Sequence, residues 1–235
     1  MATIVTIHPQ NPQSRQVEKV CRNLRDGAVM LYPTDTVYAI GCDLNAKKAI
    51  DRVRQIKQLS NDKPLTFLCP SLSNIAAYAV VEDDAYRLMR RLIPGPYTFL
   101  LPATKLVPKL VMNPQRRTTG IRVPNHRICW ALLETLGNPI VSSSAHLLSD
   151  EDAAQMTGQQ RNACPLPIVT SGHGPTKAEL FDCLHNIVDI IVDDGLEPGY
   201  QVSTILDLTA TEPIVVRKGM GWEAVADWLA LDTDS

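Results

Sequence analysis

The sequence has few aromatic residues, no strong net charge and no long apolar run. Phe, Trp and Tyr make up 5% of the chain, which gives little support to recognition of nucleic acid bases by stacking. A net charge of -2 excludes a strong overall attraction to nucleic acid, although it leaves room for a local basic face. No apolar stretch approaches the roughly 20 residues that cross a bilayer, so we expect no membrane association.

Cysteine pairs and an export signal are also missing. The six cysteines are spread singly without a CxxC pair, so we expect buried thiols and neither disulfides nor a zinc site. The residues from Met1 to Ile4 lack the charged and apolar regions of a signal peptide. We therefore expect a cytoplasmic protein.

The common nucleotide-binding and hydrolase motifs are absent as well. No GxxxxGK[ST], GxGxxG, HExxH or GxSxG occurs in the chain. A nucleotide site would therefore have to be built from dispersed side chains at strand ends. We predict no catalytic nucleophile and no metal ion held by the protein itself.

Segments with helical and strand patterns alternate along the chain. Helices are predicted over 13–25, 46–57, 83–93, 127–136 and 222–231, and strands over 28–32, 64–69, 97–101, 119–123, 139–142, 187–192, 204–208 and 214–217. This alternation predicts a single α/β domain around a twisted sheet, which the closely spaced C-terminal strands indicate to be mixed. The polar segment 149–174 is either a lid or a surface insertion.

Two clusters of small polar residues follow short apolar runs. The first extends from Tyr32 through Thr34, Asp35 and Thr36 to Tyr38, and the second is Ser142–Ser144. Open α/β sheets bind ligands at strand ends, so together the clusters predict a ligand pocket. Each cluster by itself is more typical of a plain polar turn.

Several basic residues are candidates for binding anions. Lys57 and Lys63 bracket a predicted turn and are suited to phosphate, whereas Arg52 and Arg54 fit a solvated helix face. Arg122 lies among apolar neighbours, where an unpaired guanidinium would be costly to bury. Its partner is either a ligand carboxylate or an internal Asp or Glu.

Taken in order, seven segments resemble the YrdC-like threonylcarbamoyl-AMP synthase family. They are Tyr32–Gly41, Lys57 with Lys63–Leu65, Pro94–Thr98, Gly120–Pro124, Ser142–Ala145, Ser203–Leu208 and Val215–Gly219. The stretches His8–Pro12 and Arg87–Arg90 resemble the YciO branch of that family. The resemblance implies a YrdC-like domain over 12–219, followed by a C-terminal helix and tail over 220–235.

The resemblance implies a twisted α/β sheet, flanked by helices, with a large concave basin. Its expected reaction joins L-threonine, bicarbonate and ATP into threonylcarbamoyl-AMP and pyrophosphate for tRNA modification. Threonine would be bound by Thr36, Lys63, Arg122 and Ser142, with Arg122 on its carboxylate. The nucleotide would be bound by Lys57, Thr118, Ser144, Ser203 and Arg217, and Mg²⁺ would come with the ATP phosphates.

Two positions depart from the synthase pattern. A Lys-x-Arg-Pro motif is replaced by Lys57-Gln58-Leu59-Ser60, and Ser-Ala-Asn is replaced by Ser144-Ala145-His146. Loss of a charge-assisted phosphate contact costs about 1.5–3 kcal/mol. We therefore expect weakened ATP use, or a pocket adapted to a related ligand, unless Arg54 or Arg116 supplies the missing charge.

Two alternatives remain open. One is a protein that binds tRNA or double-stranded RNA without turnover through its arginines, which are Arg52, Arg54, Arg87, Arg90, Arg91, Arg116 and Arg117. The other is a regulator that binds nucleotide without turnover. Binding through phosphates would weaken steeply with salt, and this distinguishes the RNA hypothesis from the other two.

Overall fold

The computed structural model describes residues 1–59, 63–148, 165–169 and 174–232. The described residues contain helices α1 to α7, which span Ser14–Arg25, Lys47–Ile56, Leu72–Tyr78, Asp83–Leu92, Arg127–Leu136, Lys177–Leu184 and Trp222–Asp232. Strands β1 to β12 span Thr3–Thr6, Met30–Tyr32, Ala39–Asp43, Thr66–Leu68, Tyr97–Pro102, Thr118–Arg122, Ile140–Ser144, Leu147–Leu148, Ile168–Val169, Ile190–Asp193, Thr204–Asp207 and Ile214–Arg217.

Ten of these strands form one mixed sheet. Their order is β1-β10-β2-β3-β7-β4-β6-β5-β11-β12, and β8 pairs with β9 in a separate parallel pair. β3 and β7 are antiparallel to their neighbours, whereas β4 runs parallel to β6 and β11 runs parallel to β5. The prediction of a single α/β domain with a mixed sheet is therefore confirmed. The domain boundaries at residues 12 and 219 stay a prediction.

The two faces of the sheet are covered differently. Successive residues of a strand point to opposite faces, so Leu31 belongs to the larger apolar core while Met30 and Tyr32 belong to the smaller one. The smaller core holds the apolar faces of α1 and α5, and α2, α3, α4, α6 and α7 contribute to the larger core. The smaller core stops short of β5, β6, β11 and β12, and polar side chains take its place there.

Most predicted elements agree with the structure to within about three residues, but six were missed. These are β1, β3, β8, β9, α3 and α6. In β3, Gly41 interrupts the apolar pattern, and a Cβ there would lie 2.5 Å from the carbonyl oxygen of Val141 on β7. In α3, Ile75 is the buried residue, which leaves no periodic apolar face to recognise.

The prediction for the second polar cluster was wrong in one respect. The three serines do not follow a strand that ends at Ser142, because β7 continues to Ser144. Ser144 pairs with Ala39 of β3, and Ser142 pairs with both Gly41 of β3 and Thr66 of β4. All three serines are among the residues that line a cavity, so this end of the central strand is not packed in an apolar core.

No helix in the described ranges is long and apolar enough to span a bilayer. Segment 149–174, predicted as a lid or an insertion, lies largely outside the described residues.

Candidate active site

A cavity occupies the part of the sheet face that α1 and α5 leave uncovered, and we call it the basin. It contains about 740 Å³ of space, including space open to solvent. Eight residues that carry a hydroxyl line it, namely Thr34, Thr36, Thr66, Thr98, Ser142, Ser143, Ser144 and Ser203. Two arginines, Arg122 and Arg217, also line it. Hydroxyls and guanidinium groups together are suited to a ligand rich in carboxylate or phosphate oxygens.

Six of the nine residues predicted to bind ligands line the basin. They are Thr36, Arg122, Ser142, Ser144, Ser203 and Arg217. Lys57, Lys63 and Thr118 are not among its lining residues. The individual ligand contacts predicted for all nine stay predictions.

Lys57 does not line the basin but binds Ser144, which does. Its side chain is buried, and Nζ donates to the carbonyl oxygens of Ser144 and His146, each at 3.1 Å, and to Ser144 Oγ at 3.2 Å. Ser144 Oγ in turn donates to the carbonyl oxygen of His146 at 3.2 Å. Lys57 therefore fixes the end of β7 in this structure.

Thr118 and Lys63 lie at the margins. Thr118 is buried at the start of β6, opposite Pro102 of β5. The carbonyl oxygen of Lys63 accepts a hydrogen bond from Arg54 Nη1 at 2.8 Å. Both residues lie in segments that reach the basin, since Pro64 and Arg122 line it.

Arg122 is bound by a carboxylate of the chain itself. Its Nη2 lies 2.6 Å from Asp35 Oδ1, and the two side chains are only 9% and 10% exposed. Its Nη1 donates to Thr36 Oγ1 at 2.9 Å. Of the two partners that the sequence left open, the structure has the internal aspartate. Asp35 was in the first polar cluster, but we did not predict it as a site residue.

Ser142 is oriented by a buried tyrosine. The hydroxyl of Tyr32 donates to Ser142 Oγ at 2.7 Å, and complete burial raises the pKa of Tyr32 well above its usual value. Because Tyr32 is protonated and donates in this hydrogen bond, the proton of the Ser142 hydroxyl is not used in it. That proton can be donated to an acceptor in the basin.

The opposite wall is organised around Ser203. Arg217 donates from Nε to the carbonyl oxygen of Ser203 at 3.1 Å and from Nη2 to its hydroxyl at 3.2 Å. Thr98 Oγ1 lies 3.0 Å from Ser203 Oγ. Thr98 was missed as a site residue, although it ends the Pro94–Thr98 segment. We call Thr34, Thr36 and Arg122 the Arg122 side of the basin, and Thr98, Ser203 and Arg217 the Arg217 side.

A second cavity, with about 790 Å³ of space including space open to solvent, lies behind the turn formed by residues 33–38. Asp35, His126, Asp194 and Tyr200 line it, and so does Gly199. A Cβ on Gly199 would lie 2.5 Å from the carbonyl oxygen of Thr36, so the loop 194–201 presses its backbone directly onto the turn. Burial lowers the pKa of His126, and the nearby Asp35 carboxylate opposes this effect.

The two departures from the synthase pattern lie outside the lining of the basin. Leu59 packs against the larger core, and His146 is 3% exposed with its ring edge-on to Tyr200. Arg54 and Arg116 do not line the basin either. The idea that one of them replaces the missing arginine is therefore not supported.

Several arginines considered for RNA binding are used within the chain. Arg54 is 6% exposed and donates to the carbonyl oxygens of Lys63 and Leu110, so its predicted place on a solvated helix face was wrong. Three others form ion pairs, which are Arg52–Asp189, Arg87–Asp84 and Arg116–Asp207. Four of the seven arginines thus have hydrogen-bond or ion-pair partners within the chain.

The chain is similar to known proteins in sequence and in fold. The family model Sua5/YciO/YrdC, described as "Telomere recombination", matches residues 22–163. Protein YciO of Escherichia coli, described as uncharacterized, is 37% identical over 221 residues, which cover 94% of this chain and 97% of that protein. The crystal structure of E. coli YciO superposes with a TM-score of 0.79 over the same shares of the two chains.

More distant relatives have a stated activity. A threonylcarbamoyl-AMP synthase of Pyrococcus abyssi is 27% identical over 197 residues, which cover 83% of this chain but only 52% of that protein. A crystal structure of P. abyssi Sua5 with L-threonine has a TM-score of 0.75 at 23% identity, covers 93% and 58% of the two chains, and shows a shared fold. The predicted resemblance, including its YciO branch, is thus confirmed. The chain belongs to the Sua5/YciO/YrdC family.

Proposed function

We propose that the protein binds L-threonine on the Arg122 side of the basin and ATP or AMP on the Arg217 side. We further propose that it forms threonylcarbamoyl-AMP, at a lower rate than the synthases. The observation that carries this proposal is the basin itself, which places six of the nine residues predicted from the family pattern around one space. The distant likeness to threonylcarbamoyl-AMP synthases supports the same chemistry.

The proposed reaction has two bond-forming steps. The amine of threonine attacks the carbon supplied by bicarbonate and forms a carbamate with loss of water. A carbamate oxygen then attacks the α-phosphorus of ATP, and pyrophosphate leaves. Neither step needs a nucleophile from the protein, so positioning and charge stabilisation are the contributions expected from the chain.

The lining residues are suited to these contributions. Ser142 keeps a proton that can be donated to a carboxylate or carbamate oxygen. Arg217 adds a positive charge beside the hydroxyls of Ser203 and Thr98, where a phosphate would lie. In the part of the chain that is described, no group of three His, Cys, Asp or Glu side chains could hold a metal ion. We propose that Mg²⁺ is bound through the ATP phosphates and neutralises part of their charge.

We propose the lower rate because Leu59 stands where the synthase pattern has an arginine. A phosphate-binding arginine at this point would contribute about 1.5–3 kcal/mol, equivalent to a roughly ten- to hundredfold change in affinity. Lys57 precedes Leu59 by two residues, and its Nζ donates to the carbonyl oxygen of His146. Both positions are therefore connected to Lys57, which contacts the end of β7.

The decisive test is incubation of the purified protein with L-threonine, bicarbonate, ATP and Mg²⁺. We expect pyrophosphate and an adenylate with the mass of threonylcarbamoyl-AMP, and both must disappear when bicarbonate or threonine is omitted. The Leu59→Arg, His146→Asn double variant should raise ATP affinity and rate. Ser142→Ala should lower the rate, and Ser71→Ala, which removes the N-cap of α3, serves as its control.

The same preparation separates the alternatives. Absence of product at high protein concentration rejects the synthase proposal, and calorimetric ATP binding without product indicates a nucleotide-binding regulator instead. A gel shift with tRNA or double-stranded RNA that weakens steeply with salt, in a protein without product, favours the RNA hypothesis.

A further inference from the structure

The guanidinium of Arg122 has one nitrogen without an acceptor. Nη2 donates to Asp35 and Nη1 donates to Thr36, at the distances given above. Nε is buried and has no hydrogen-bond partner within the described ranges. A buried donor left without an acceptor costs about 1–3 kcal/mol, and a ligand oxygen that accepts from Nε–H would recover this cost.

Asp35 is anchored independently of Arg122. Its Oδ2 accepts a hydrogen bond from the backbone N–H of Asn125 at 2.9 Å, while Oδ1 accepts from Arg122. Asn125 follows β6 by three residues, so the carboxylate ties the 33–38 turn to the end of that strand. Asp35 therefore holds the guanidinium in a fixed orientation and compensates its charge.

The partners of the Thr34 and Thr36 hydroxyls determine which of the two donates to the other. Thr34 Oγ1 donates to the carbonyl oxygen of Val37 at 2.7 Å and accepts from the backbone N–H of Thr36 at 3.2 Å. Since the proton of Thr34 is already used, the 3.1 Å contact between the two hydroxyls must be a donation from Thr36 to Thr34. Thr36 Oγ1 also accepts from Arg122, which leaves it one lone pair and no proton for a ligand.

We propose that Asp35 is the positioning and specificity-determining residue of the Arg122 side, an inference that rests on the proposed function. By fixing Arg122, Asp35 leaves one lone pair of Thr36 Oγ1 and one donor, Arg122 Nε–H, unused within the described ranges. This pair complements a neutral amino acid, which carries a hydroxyl or ammonium donor close to its carboxylate. A second ligand carboxylate is disfavoured because Asp35 already compensates the charge of Arg122.

The test is calorimetric titration of wild type and Asp35→Asn with L-threonine, L-threo-3-hydroxyaspartate and AMP. 3-Hydroxyaspartate replaces the threonine methyl group with a carboxylate. The matched control is Asp189→Asn, because Asp189 also binds an arginine at 2.6 Å and a backbone N–H at 2.7 Å but lies away from the basin. Thermal unfolding of each variant monitors the fold.

In Asp35→Asn we expect threonine affinity to fall about tenfold and the preference for threonine over 3-hydroxyaspartate to fall by at least as much. Affinity for AMP should stay within about twofold in both variants, and Asp189→Asn should bind all three ligands as wild type does. Unchanged threonine affinity in Asp35→Asn overturns the inference, as does an equal loss for both amino acids. A wild-type protein that binds AMP but neither amino acid overturns the proposed function and this inference with it.

Discussion

The two sides of the basin hold an arginine in different ways. Arg122 lies on β6, between β4 and β5, and is bound by the Asp35 carboxylate and the Thr36 hydroxyl. Arg217 lies on β12 at the edge of the sheet, is only half-buried, and donates to the carbonyl and hydroxyl of Ser203. A central position removes water from a charge, so Arg122 needs an anion from the chain.

This difference indicates what each side can contribute to binding. On the Arg122 side the charge is already compensated, so selectivity depends on the direction of individual hydrogen bonds. On the Arg217 side the guanidinium lies among hydroxyls and reaches solvent, which suits a ligand of high charge such as a phosphate chain. The comparison therefore supports an amino acid on one side and a nucleotide on the other.

The largest expected effect comes from exchanging each arginine for methionine. Arg122→Met leaves the Asp35 carboxylate buried without its cation, and we expect a loss of about 3–5 kcal/mol in the free energy of unfolding. Arg217→Met should cost about 1 kcal/mol or less, because its hydrogen bonds lie at a partly solvated edge. Urea unfolding measures both values.

A double variant checks the cause of the first effect. Arg122→Met combined with Asp35→Asn should be more stable than Arg122→Met alone, since the buried charge is gone. If the double variant is less stable than the single one, the comparison between a charge-compensated side and a solvated side fails.

A smaller effect is expected from Ser203→Ala on the Arg217 side. The change removes the acceptor of Arg217 Nη2 and the partner of Thr98 Oγ1, so the free energy of unfolding should fall by about 1 kcal/mol. Affinity for AMP should fall about tenfold in calorimetry, with threonine affinity within about twofold of wild type. Equal losses for both ligands would show that the two sides are not independent.

The smallest effect concerns pH and His126, which lines the second cavity with Asp35. Burial lowers the pKa of His126 in the folded protein below its usual value of 6.5. Below that value the unfolded chain takes up a proton that the folded chain resists, so stability should fall as the pH drops from 7.5 towards 5.5. His126→Asn should flatten this part of the profile in urea unfolding. An unchanged slope in His126→Asn would contradict the assignment.

Some elements were predictable because their pattern is local. In α1, Val17, Val20, Cys21 and Leu24 recur at helical spacing, and all four are buried. In α5 the same periodicity ends at Gly137, which adopts the left-handed conformation with φ of 75°. The strand β3 was not predictable in this way, because all five of its residues are buried and its glycine reflects a contact with β7.

In the candidate site, too, some features were visible in the sequence and others depend on contacts between distant residues. The polar clusters and Arg122 were visible in the sequence, and the family pattern grouped most of the lining residues. The functions of Lys57, Thr98 and Asp35 in the site were not visible, since their partners lie far along the chain. Asp35 is 87 positions from Arg122, and Thr98 is 105 positions from Ser203.

The sequence by itself determined the class of fold, the family and the residue types that line the basin. Only the tertiary structure decided which of these residues meet and in which direction each hydrogen bond runs. The physical reason is that apolar periodicity specifies which side of an element is buried, but not which element it meets. A buried guanidinium is stable only where the fold brings a carboxylate to it, and here the fold brings Asp35.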